Sequence, residues 1–118
     1  MNNQELKNLS DLMNDTLGPV EPIIPQLRKS FDFLISKGYL SSFNHLNYFE
    51  QLKEVIFSDM MVYLKTKEKH YIPERSESIK YFSVLMERQL QLISRDKIGN
   101  RWRTLAQREY NLNQLVNG

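Results

Sequence analysis

The chain contains no cysteine, which excludes disulfides, thiolate zinc sites, iron–sulfur ligation and a thiol nucleophile together. Its only histidines are His45 and His70, and neither belongs to an HExxH or Glu-x-x-His spacing. An Asp-rich calcium loop is missing as well, so no metal centre is expected. Four glycines supply neither a P-loop nor a Gly-x-Gly-x-x-Gly turn, the two backbone cradles for phosphate. There is no Gly-x-Ser-x-Gly nucleophile elbow. The longest apolar run, Met60 to Leu64, is five residues, against the roughly 20 a membrane helix needs. Met1-Asn2-Asn3-Gln4-Glu5 shows neither the basic start nor the apolar stretch of a secretion signal. These absences lead to the expectation of a non-enzymatic cytoplasmic protein without cofactor, metal or membrane segment.

What is present suits one helical domain over residues 1–118. A 118-residue chain with 41% hydrophobic residues buries enough surface for a core without covalent staples. The net charge of +2 is smaller than a dedicated duplex-DNA binder carries. Its distribution is uneven. Residues 1–26 carry Lys7 against Glu5, Asp11, Asp15 and Glu21, a net −3. Residues 95–118 carry Arg95, Lys97, Arg101, Arg103 and Arg108 against Asp96 and Glu109, a net +3. Such polarity marks either an interaction surface or two ends that lie against each other.

Apolar residues recur at helical spacing through most of the chain. Leu6, Leu9, Met13 and Leu17 predict a first helix over 3–17, stopped by Gly18-Pro19. A connector spaced by Pro19, Pro22 and Pro25 leads to a second helix over 25–37. Its face is Leu27, Phe31, Leu34 and Ile35, and Gly38 is placed for a left-handed stop with Tyr39 folding back. Ser41-Ser42 is read as the cap of a third helix over 43–65, with Leu46, Phe49, Leu52, Ile56, Met60 and Tyr63 or Leu64 as its stripe. Apolar nearly all round from Val55 to Leu64, it is expected at the centre. A basic connector leads to a fourth helix from Glu74 or Ser76 to Arg95, facing inward with Ile79, Phe82, Met86, Gln89 or Leu90, and Ile93. Gly99-Asn100 reads as a break before a fifth helix over 101–116, with Trp102, Leu105, Leu112 and Val116 as its stripe. The alternative is one continuous helix through Gly99. The expected fold is an all-α, compact bundle of four to five helices with short connectors, antiparallel neighbours, and the third and fourth helices as its spine.

Few residues suggest chemistry. Asp59 lies within the most apolar stretch, where a buried carboxylate would have a raised pKa; outward orientation or pairing is the plainer account. Glu50 and Glu54 share a helical spacing but suit a solvated face with Lys53. The most suggestive stretch is the Arg–Trp segment. Arg101, Trp102, Arg103, Arg108 and Tyr110 are residue types concentrated at protein-binding hot spots, and another protein is the expected partner, for an adaptor, inhibitor or regulator. The alternative is a DNA- or RNA-binding regulator using the same C-terminal Arg–Trp segment, with phosphate contacts from Arg95, Lys97, Arg101, Arg103, Lys65, Lys67 and Lys69. Asn44 and Asn47 spoil a helix-turn-helix reading of residues 34–56, and no recognition helix is nominated. Self-association into a homo-oligomer follows if the last two helices are continuous and expose an apolar stripe.

Overall fold

The computed structural model describes residues 18–95 and 100–117, without the side chains of Arg95, Asn100, Arg101 and Asn117. The helix predicted over 3–17 lies outside the described residues, as does Lys97. Within them the protein is all-α, with four helices and no strand: α1 Ile24–Ser36, α2 Phe49–Thr66, α3 Ser78–Arg95 and α4 Asn100–Asn117. No described helix is long and apolar enough to cross a membrane. Residues 96–99, between α3 and α4, are outside the description.

α1 begins where the proline-spaced connector turns, with Pro25 in the first turn, where its missing N–H costs no helical bond. Its end is the stop the sequence predicts. The Gly38 N–H reaches Ile35 O at 3.1 Å and the Tyr39 N–H reaches Leu34 O at 3.3 Å, with Gly38 at φ +112°. Those two bonds satisfy carbonyls that the helix end would leave bare. Leu40 follows with a left-handed φ of +64°, a conformation that costs a branched residue about 1–2 kcal/mol. Full burial of its side chain and a 3.2 Å bond from its N–H to Ser94 Oγ hold it there.

The third predicted helix starts later than its expected cap. Ser41–Phe43 is a single 3₁₀ turn, residues 44–48 continue in turns, and α2 begins at Phe49. Asn44 and Asn47 account for the delay, because short polar side chains compete for the backbone groups a helix would use. Leu52, Ile56, Phe57, Met60, Met61 and Leu64 of α2 are all buried. α1, α3 and α4 each pack on α2, so it occupies the expected central place.

α3 begins at Ser78 rather than Glu74 or Ser76. Tyr71, Tyr81 and Phe82 pack tilted and edge-on with ring centroids 5.0–5.4 Å apart, and the Tyr71 hydroxyl donates to Ser76 O at 2.9 Å. This cluster folds the connector back on itself and delays the helix. Phe82, Met86, Leu90 and Ile93 then face the core, which resolves the choice between Gln89 and Leu90.

Helix direction departs from the antiparallel expectation in one pair. Ser83 bonds Ser30, Tyr39 reaches Glu87, and Leu40 reaches Ser94. Position therefore increases on both partners together, so α1 and α3 are parallel neighbours. α2 carries the chain from the end of one to the start of the other.

Candidate functional site

Asp59 is half-buried and accepts a hydrogen bond from Trp102 Nε1. It is thus paired with an indole rather than a cation, in a hollow of about 360 Å³ also lined by Met60, Val62, Tyr63, Gln89 and Ile93. Glu50 ion-pairs with Lys53 at 3.0 Å. Glu54 takes both arms of the Arg28 guanidinium, at 2.8 and 2.5 Å. Those bonds hold the Glu54 carboxyl below its ordinary pKa and raise that of Arg28. The same guanidinium lies over the rings of Phe31 and Phe57, so the pair clamps α1 to α2. His45 and His70 are exposed. Among the described residues no group of His, Cys, Asp and Glu is arranged to hold a metal ion.

The Arg–Trp segment divides between two faces of α4. Trp102, Ala106 and Tyr110, four residues apart, turn toward α2 and the core. Ala106 is fully buried and is the only alanine in the chain; with no side chain beyond Cβ, it lets α4 approach α2 closely. Arg103 and Arg108 are exposed, and Arg103 Nε reaches the Tyr48 hydroxyl at 3.3 Å. The Arg101 side chain lies outside the description. The stripe expected for this helix is therefore corrected. Trp102 faces inward, whereas Leu105, Leu112 and Val116 face outward. Because Trp102 braces the fold, replacing it would not probe a surface alone.

The lysine group is also dispersed. Lys65 ion-pairs with Glu21, Lys67 lies over the Tyr63 ring at 5.4 Å, and Lys69 is exposed. The Arg95 side chain and all of Lys97 lie outside the description.

Two apolar surfaces emerge that motif reasoning did not single out. One is the end of α4. Residues 111–116 are exposed on every side of the helix, with Leu112, Leu115 and Val116 at 60, 81 and 83%. The other is a groove between the parallel helices α1 and α3. It comprises two adjoining hollows of about 460 and 520 Å³ that share Phe33, Leu34 and Glu87. The groove had a signal in the sequence, as the apolar residues Phe33 and Val84 left over once each core stripe is assigned, whereas Leu112 and Val116 at the end of α4 were read as part of a core stripe. No family model matches the chain, nor does any curated protein or solved structure.

Proposed function

We propose that this is a non-enzymatic protein-binding module, an adaptor, inhibitor or regulator, that docks its partner on the exposed end of α4. The observation that carries the reading is the exposure of Leu112, Leu115 and Val116 in a helical segment with no exposed-to-buried asymmetry. A short helix gains most of its stability from packing, and Asn111 and Asn113 are weak helix formers. Three large apolar side chains held in water on such a segment are a cost that a partner would remove. Each side chain contributes about 1.5–3 kcal/mol when fully buried. Arg108, exposed one turn before Leu112, adds a side chain suited to the rim of such a contact. The reading includes a cytoplasmic place of action, as the sequence analysis expects.

The test is affinity capture from extract of the source cells, run with and without nuclease, using the native chain and a Leu112→Glu/Val116→Glu variant. The expected result is a protein partner retained after nuclease and lost with the variant. Equal capture by both chains would overturn the reading. Capture abolished by nuclease would favour the nucleic-acid regulator instead.

A further inference from the structure

The groove between α1 and α3 has an apolar floor in water. Phe33 is 59% exposed and Val84 42%, with Leu34 between them and the small side chains of Ser30 and Ser83 at the base. Lys29, Lys37 and Lys80 line its sides. The one acid there, Glu87, accepts a hydrogen bond from the Tyr39 hydroxyl at 3.0 Å. The lining is thus apolar below and net positive at the rim. α3 borders it from Lys80 to Ser94, about 21 Å at the helical rise of roughly 1.5 Å per residue.

We propose that this groove receives the chain's own amphipathic segment, residues 3–17. Four observations converge on that occupant. The first is pattern. Leu6, Leu9, Met13 and Leu17 share one helical face, the form of ligand an apolar groove between helices takes. The second is length, since fifteen residues in a helix span about 22 Å, matching the groove. The third is charge. Glu5, Asp11 and Asp15 against Lys7 make the segment net negative, opposite in sign to the lysine rim.

The fourth observation is the tether. Val20 is buried in the core and Gly18 packs against the Glu68 carboxylate. At φ +65°, with the Glu68 carboxylate where a Cβ would stand, a side chain at Gly18 would be strained and would have to displace that carboxylate. The chain is therefore pinned six residues before α1 begins, at the end of the bundle where Glu21 meets Lys65. A segment running back from that point along the groove is antiparallel to both α1 and α3. That is the arrangement a short connector favours, and it mirrors the way α2 covers the opposite side of the pair.

A chain without cysteine permits a direct test on the full-length protein. Met13→Cys is paired either with Val84→Cys in the groove or with Val62→Cys, an exposed position on α2. Docking raises the effective concentration at the groove alone, so the 13–84 disulfide is expected to form about ten-fold faster than the 13–62 disulfide. Adding Phe33→Asp and Lys80→Glu to the 13–84 pair is expected to slow trapping to the 13–62 rate, with the thermal melt checking that the fold persists. Equal rates for the two pairs would overturn the proposal. So would an unchanged rate in the groove variant. Disulfides formed only between molecules would overturn it in favour of a second copy as the occupant. None of these positions lies on α4, so the outcome is independent of the partner-binding proposal.

Discussion

Replacing Ala106 with Leu tests whether α4 sits on α2 as described. Ala106 is fully buried at the middle of the α4 inner face, between Trp102 and Tyr110. Leu adds three carbons where the backbone approach leaves no room. Overpacking of this kind costs about 1–3 kcal/mol. Leu and Ala differ little in helix propensity, so the loss is a packing effect. In a domain of this size each kcal/mol moves the melting midpoint by roughly 3–6 °C, and the expected fall is about 3–18 °C. Gln107→Leu, one residue along and exposed, is the control, with an expected change within about 0.5 kcal/mol. Trp102 is the only tryptophan and bonds Asp59. Its emission therefore reports the seating of α4 directly, and is expected to shift to the red in Ala106→Leu alone. Identical melts and emission in the two variants would refute the packing of this helix.

The Arg28–Glu54 clamp is expected to show a coupling of about 0.5–1 kcal/mol in a double-mutant cycle, in the range for surface pairs of good geometry. Because the folded Glu54 pKa is lowered, that coupling is complete above the unfolded carboxyl value of ~4.3 and fades as pH falls through the folded value. Cycles at pH 7 and pH 3 check both points. Gly38→Ala is expected to cost about 1–2 kcal/mol, from the positive φ alone, since nothing lies within 4 Å of the added methyl. A denaturant melt measures it. Leu112→Glu/Val116→Glu is expected to leave stability within about 0.5 kcal/mol of the native chain, read from the same melts.

Local signals were the most legible part of the sequence. The Gly38 stop, the proline entry to α1 and the buried stripe of α2 each follow from a few adjacent residues. The left-handed Leu40 had no such signal, because burial and a bond to distant Ser94 create it. The late start of α2 was missed: Asn44 and Asn47 counted only against a helix-turn-helix, and Ser41-Ser42 offered a cap that went unused. The face of α4 was misread for a physical reason. Leu105, Leu112 and Val116 are more hydrophobic than Ala106 and Tyr110, but a lone alanine governs how close two helices come. Periodicity finds a stripe and does not say which stripe meets the core. The parallel pairing of α1 and α3 was also hidden, since connectors constrain consecutive helices rather than alternate ones. The groove and the exposed end of α4 inherit that difficulty, being defined by what the core leaves over.

Amide hydrogen exchange along α4, in the free chain and in complex with the captured partner, tests the central claim most directly. The account predicts fast exchange at residues 111–116 in the free chain, where no tertiary packing supports the helix, and strong slowing there in the complex. Protection that appears elsewhere while residues 111–116 stay fast in the complex would contradict it.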